Sequence, residues 1–192
     1  MPKNPDTHSN KIAWIEAGFQ FLAKGGIDSV RIDRMSKKIG LTRGSFYWHF
    51  KSRDELLNEM LKFWEHVATT SIIALIEQEN QNPNEKLATL IKLSTQQPDE
   101  KYGGKYAELG IRIWGGNDDK VAAIVAKIDG KRIAYVKQLL VEMKLETTNA
   151  AFLAEIIYNA FIGVMSRDLN EKQIKQITDL ASNYIRAQIM PD

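Results

Sequence analysis

The residues best placed to do chemistry lie in "LTRGSFYWHFKSR", residues 41–53. Phe46, Tyr47, Trp48, His49 and Phe50 put four aromatic rings and an imidazole in a row, with basic residues on both sides. The run can be read as a core strand, a core helix or a contact surface. On a helix, Phe46 and Phe50 are four apart and share a face, so they turn inward with Leu41. Tyr47, Trp48 and His49 fall on the other sides. Arg43, Gly44 and Ser45 sit at the N-terminal end, after Thr42, which can cap it. The outward set is small and donor-rich at its tip, and aromatic and basic behind. Arg can pair with a guanine edge through two hydrogen bonds, and Ser can bond several base edges. Tyr and His reach phosphate oxygens, and Lys51 and Arg53 add positive charge beside them. A short aromatic helix between two others is more often plain core, and periodicity alone leaves that reading open.

The rest of the chain must position this stretch. Helical periodicity dominates the 192 residues, and strand alternation is scarce. Ile12, Ile15, Phe19 and Leu22 make one face of a first helix, capped by Ser9 or Asn10 and stopped by Gly25 and Gly26. A short second helix spans Ile32–Ile39 and ends at Gly40. Helix, glycine turn and short second helix together read as a helix-turn-helix, with Thr42–Phe50 the recognition helix. Ser52 with Glu55 makes a capping box for a fourth helix that continues through Leu56, Met60, Phe63, Trp64 and Val67. Further helices are expected over Glu85–Thr95, around Tyr106–Trp114, from Asp119 to about Lys144, over Thr148–Ser166 and over Glu171–Ile189. Residues 96–104 read as a loop, and Gly130 weakens the regularity of the long helix. The fold class is therefore all-α, about nine helices.

Charge supports a polyanion partner for the head. Residues 1–53 hold ten Lys/Arg and four Asp/Glu, a net of +6, while residues 54–192 carry a net of −4. There is no cysteine, which excludes disulfides and thiolate metal sites and fits a reducing, cytoplasmic location. The polar start "MPKNPDTHSN" lacks the apolar core of a signal peptide. No apolar run is expected to span a bilayer, so no membrane partner is expected. Catalysis finds little support. His8, His49 and His66 form no His-Glu metal motif, no phosphate-binding loop with a lysine is present, and "RGSFY" is no nucleophile elbow. No catalytic residue, metal or cofactor is expected. A helical protein-binding adaptor is the alternative, and it would not need the basic head.

Residues 8–68 resemble the N-terminal DNA-binding domain of the TetR family of bacterial transcriptional regulators. The resemblance is carried by "AGFQFLAKGG", "MSKKIGLTRGSFYWHF" and "KSRDELL", and more weakly by "IRIWGGNDDKVAAIVAKIDGKR" at 111–132. It implies that Arg43, Gly44, Ser45 and Trp48 face bases or the groove. It implies that Thr42, Tyr47, His49, Lys51 and Arg53 lie near phosphates, and that Phe46 and Phe50 are core. Arg31 departs from the family's usual Ser or Thr. It cannot cap the second helix, though it can reach a phosphate.

The same resemblance implies a three-helix helix-turn-helix domain at 8–68 and an effector-binding and dimerisation domain at 69–192. The chain would be a regulator, commonly a repressor, released from a palindromic double-stranded operator by a small-molecule effector. Trp64, Tyr106, Trp114, Phe152, Tyr158 and Phe161 are candidate pocket residues, each also readable as plain core. His66 is a candidate polar group. The last two helices would pair with their copies in a homodimer. "AAFLAEIIYNAFIGVM" (150–165) is apolar nearly all round, and Ile174, Ile177, Ala181, Tyr184 and Gln188/Ile189 form a stripe. Burial within one subunit is the other reading of both.

Overall fold

A computed structural model of the chain describes residues 7–79, 81–96 and 99–189. Among these residues the secondary structure is helical, without strands. The helices are α1 (Thr7–Gly25), α2 (Ile32–Ile39), α3 (Arg43–His49), α4 (Arg53–Glu65), α5 (Ser71–Gln78), α6 (Pro83–Ser94), α7 (Lys105–Gly115), α8 (Asp119–Glu142), α9 (Thr147–Ser166) and α10 (Glu171–Ile189). A π-helical turn, His66–Thr70, joins α4 to α5. Counted as one helix through that turn, α4 and α5 bring the ten segments to the nine expected.

The chain divides into two compact units. The first holds Met1–His66 and Gln97–Val125, and the second holds Val67–Gln96 and Ala126–Asp192. Residues 97–125 thus pack with the head. The functional division expected at residues 68 and 69 is a different partition of the chain.

In the first unit α1 is the hub, packing on α2, α3, α4 and α7. Its buried face is Trp14, Ile15, Ala17, Phe19 and Leu22, and Ile12 is only half-buried. The helix begins at Thr7, so Ser9 and Asn10 lie inside it rather than capping it. At its end the Gly26 N–H bonds the Leu22 carbonyl at 2.9 Å. The segment read as a loop at 96–104 contains a 3₁₀ turn, Glu100–Tyr102. Tyr102 stacks against Phe63 and stands edge-on to Phe19. Gly103 follows at φ 80°, and a Cβ there would come within 2.8 Å of the Phe19 carbonyl oxygen. Only glycine satisfies both the conformation and the contact.

The second unit contains α5, α6, most of α8, α9 and α10. Its core is built from Ile76, Leu87, Val136, Leu139, Leu140, Leu153 and Ile185, among others. Asn82 caps α6 in a full capping box with Glu85, and Pro83 occupies the first turn. The Asn82-Pro83-Asn84-Glu85 stretch is therefore a helix start signal. Helix α8 runs unbroken through Gly130.

Helix α9 bears on two expectations. By length and composition it could cross a membrane, with a mean hydropathy of 1.3 over 18 residues. Core helices of globular proteins pass the same test, and α9 is interrupted by Glu155 and Asn159. Nor is α9 buried on all sides within this chain. Phe152 is 68% exposed and Ile156 is exposed too. Of the stripe expected on α10, Ile174, Ile177 and Ala181 are half-buried and Tyr184 is 56% exposed. Outside the stripe, Ile185 is buried and Leu180 is exposed.

Candidate nucleic-acid interface

The turn between α2 and α3 is set by Gly40, at φ 67° and ψ 20°, a left-handed cap that L-residues with side chains rarely adopt. Its N–H and that of Leu41 both return to the Ser36 carbonyl, which closes α2. Thr42 then starts α3, its Oγ1 accepting the Ser45 N–H at 3.1 Å. The Thr42 hydroxyl still has its own hydrogen to donate outward.

Helix α3 is anchored by its phenylalanines. Phe46 is fully buried, with Trp14 edge-on at 5.1 Å and Phe50 at 5.3 Å. Anchoring this one face leaves the others in solvent. Arg43 and Gly44 are exposed, Ser45 is half-buried, and Trp48 is 77% exposed. Tyr47 is also exposed, with its ring edge-on to Phe46 at 5.2 Å. Trp48 and Tyr47 thus form an exposed aromatic pair beside the helix tip. Seven of the ten residues singled out from sequence therefore share one short element and its cap: Thr42, Arg43, Gly44, Ser45, Tyr47, Trp48 and His49.

His49 and the remaining three differ from the exposed tip. Lys51 is exposed beside the start of α4. His49 is half-buried, and burial, then the nearby Lys11 charge, holds its imidazole below the ordinary histidine value. Arg31 is exposed and lies 3.3 Å from the Asp33 carboxylate. Arg53 turns inward. Its Nε donates to the Val30 carbonyl at 2.7 Å and its Nη2 to the Ile27 carbonyl at 2.6 Å. These bonds tie the first turn of α4 to the segment ahead of α2, so Arg53 frames the head rather than standing beside Lys51. The capping box at Ser52 forms by half. Ser52 Oγ accepts the Glu55 N–H, while the Glu55 carboxylate accepts from Lys51 N–H instead of the cap residue.

Sequence reasoning missed Lys11. Its Nζ pairs with Glu59 at 2.9 Å and lies 5.6 Å from the Phe50 ring centroid. Lys37 and Lys38, exposed in the last turn of α2, add basic groups that were also not singled out. The Lys11–Glu59 pair bridges 48 positions and has no local signal. The two lysines on α2 do have one, in "MSKKIG".

The candidate pocket residues do not gather in one place. A cavity of about 120 Å³ lies in the second unit, lined by Tyr158 and Phe161. Trp64 and Trp114 are buried in the first unit, Tyr106 is half exposed there, and Phe152 is mostly exposed. None of these four lines that cavity, and neither does the exposed His66. The residue that sequence reasoning missed here is Arg132, which enters the cavity wall and donates from Nε to Thr69 Oγ1 at 2.8 Å. The two are 63 positions apart.

Residues 15–60 match the family described as bacterial regulatory proteins, tetR family. The chain is 33% identical over 52 residues to the HTH-type transcriptional regulator SrpR of Pseudomonas putida, 27% of this chain and 24% of that protein. It is 31% identical over 51 residues to the HTH-type transcriptional regulator AcrR of Shigella flexneri, 27% of this chain and 22% of that one. The match thus spans about a quarter of the length of these curated relatives. The fold is shared far more widely. A TetR-like transcriptional regulator from Rhodococcus sp. RHA1 superposes with a TM-score of 0.74 at 14% identity, over 99% of this chain and 100% of that one. Salmonella enterica GusR superposes at 0.73 and 14% identity, over 94% and 95%. The N-terminal stretch is a TetR-type helix-turn-helix domain, and the chain has the all-α fold of the TetR-family regulators.

Proposed function

We propose that this chain, with its TetR-type head, is a sequence-specific DNA-binding transcriptional regulator. One observation carries the reading: α3 buries Phe46 and Phe50 and leaves Arg43, Gly44, Tyr47 and Trp48 in solvent. A helix held by one face and exposed at its tip fits a major groove. Arg43 and Ser45 read base edges there, and Gly44 and Trp48 sit against the groove. Thr42, Tyr47, His49 and Lys51 approach the phosphates, and Arg31 stands near them. Arg53 is left out of this set because its guanidinium holds two backbone carbonyls.

One short helix covers only a few base pairs, so a palindromic operator needs two heads spaced by roughly 34–36 Å. The exposed apolar residues on α9 and α10 (Phe152, Ile156, Leu180 and Tyr184) support a homodimer through these two helices. The cavity in the second unit supports a small-molecule effector, and repression relieved by that effector in the cytoplasm is the mode we favour. The test is selection of bound sequences from random duplexes by the full chain, followed by a compound screen for release. A palindromic consensus bound with steep salt dependence is the expected result. Failure to enrich any sequence would leave a helical protein-binding adaptor as the better description.

A further inference from the structure

Helix α3 is two turns long, and its ends are held differently. At the N-terminal end Thr42 accepts the Ser45 N–H, and the Gly40 turn ties the chain to α2. Phe46 is locked in the core against Trp14. At the other end the backbone becomes extended at Phe50, whose N–H still bonds the Phe46 carbonyl at 2.9 Å. Helix ends fray, and this end carries Tyr47, Trp48 and His49.

Lys11 of α1 stands at that end. Its Nζ lies 5.6 Å from the Phe50 ring centroid. Burial first, and then the Lys11 charge, lower the pKa of His49, whose ring is edge-on to Phe50 at 6.3 Å. A cation is favoured here twice, by the aromatic ring and by the negative end of the helix dipole. A lysine on its flexible stem would not hold such a position unaided. Glu59 of α4 supplies the constraint. Its Oε2 accepts from Lys11 at 2.9 Å and its Oε1 from Lys62 at 2.9 Å. The Lys11 and Glu59 side chains are 39% and 27% exposed, so their pair is better shielded than an open surface pair. Lys11 thus joins α1, α4 and the end of α3. Its ammonium already faces a carboxylate, which would repel an approaching phosphate.

We infer that Lys11, held by Glu59, is a positioning residue for DNA reading: it fixes the C-terminal end of α3 and so sets where Tyr47 and His49 meet the phosphates. The inference rests on the helix-turn-helix reading above and adds a residue that acts on DNA without touching it. A phenol and a neutral imidazole bring hydrogen bonds rather than charge to a phosphate, and such bonds weaken steeply out of line. A loosened end would lose them while Arg43, at the anchored tip, kept its base.

The test uses the full chain and the variants Lys11→Met, Lys11→Arg and Glu59→Gln, each checked for folding by circular dichroism. Without DNA, the Phe50 amide in Lys11→Met should exchange about three- to tenfold faster, the combined worth of a partly shielded ion pair and a cation–aromatic contact. The NMR titration midpoint of His49 should rise. Lys11→Arg keeps the charge and the pair and should restore both readouts. Glu59→Gln frees Lys11 and should also speed Phe50 exchange. With DNA, the probe is the duplex the wild type enriches. Lys11→Met and Glu59→Gln should each bind it about three- to tenfold more weakly, with the same consensus. The salt slope of Lys11→Met should be that of the wild type. In a Tyr47→Phe, His49→Gln background, measured at low salt, Lys11→Met should cost nothing further.

A salt slope lowered by about one unit per subunit in Lys11→Met, or tighter binding by Glu59→Gln, would make Lys11 a phosphate contact and overturn the inference. An unmoved Phe50 exchange rate overturns it as well. So does a full loss persisting in the Tyr47→Phe, His49→Gln background, or faster exchange with unchanged affinity, which would leave Lys11 a structural role alone. If the wild type enriches no duplex, the regulator reading fails, and the DNA half of the inference with it. The exchange rates still decide whether Lys11 anchors α3.

Discussion

Trp64 and Glu108 meet in the interior of the first unit, where the indole Nε1 donates to Glu108 Oε2 at 2.7 Å. The other carboxylate oxygen of Glu108 accepts from Arg112 at 2.8 Å, one helical turn along α7. A tryptophan that sequence makes a pocket candidate is here one arm of a buried polar network. Glu108→Ala removes the acceptor of the indole N–H and of the bonds from the half-buried Arg112 guanidinium. The expected cost is about 1–3 kcal/mol, read from denaturant unfolding. A loss within error of zero would show that the network adds nothing net.

Arg43 is the residue placed to read a base. Arg43→Ala should weaken specific binding by about 1–3 kcal/mol and relax one position in each half-site. Identical consensus sequences selected by mutant and wild type would remove Arg43 from base reading.

Lys51 and Arg53 are two positions apart and should behave oppositely. Lys51→Ala should weaken binding to all sequences alike and lower the salt slope by about one unit per subunit. Arg53→Ala should leave the slope alone and destabilise the head by about 1–3 kcal/mol, because the Val30 and Ile27 carbonyls lose their donor. A reduced slope with unchanged stability in Arg53→Ala would return this residue to the phosphate contacts.

His49 sets a pH dependence with a definite sign. Partial burial and the Lys11 charge depress its folded pKa below the ordinary 6.5. As pH falls, the unfolded chain takes the proton first. The stability contributed by neutral His49 is therefore full above about pH 6.5 and is lost as pH drops through the folded pKa. His49→Gln should flatten that part of the stability profile, and an NMR titration should place the imidazole midpoint below the ordinary value. The imidazole is then neutral near pH 7, so His49→Gln should also leave the salt slope there unchanged.

Tyr184 separates folding from assembly. It stands 56% exposed in the single chain, so Tyr184→Glu should leave the subunit folded by circular dichroism. If α9 and α10 form the dimer seam, the buried unpaired charge should yield monomers by sedimentation and abolish operator binding. A folded dimer with full DNA affinity would move the seam elsewhere.

Much of this molecule is determined by short-range rules that the sequence states openly. A left-handed Gly40, a Thr42 cap and the four-residue spacing of Phe46 and Phe50 act within one or two helical turns. They orient α3 before any distant contact forms, so its inward face could be read off directly, while periodicity left open whether the rest of the helix was exposed. Helix bounds from Lys105 to Ile189 follow equally from period and punctuation. What needed the tertiary structure is whatever depends on pairs far apart along the chain. Arg53 looks like a free basic residue until the Ile27 and Val30 carbonyls, 26 and 23 positions back, close on it. Trp64 looks like any pocket aromatic until Glu108 arrives from α7. Arg132 has no signal at all in "KIDGKRIAY", because Thr69 and Phe161 come from other helices. Local hydrogen bonds and periodicity choose which residues are helical and which face turns inward. Only the packing of one helix on another decides which polar groups meet in the interior and which partners they take there.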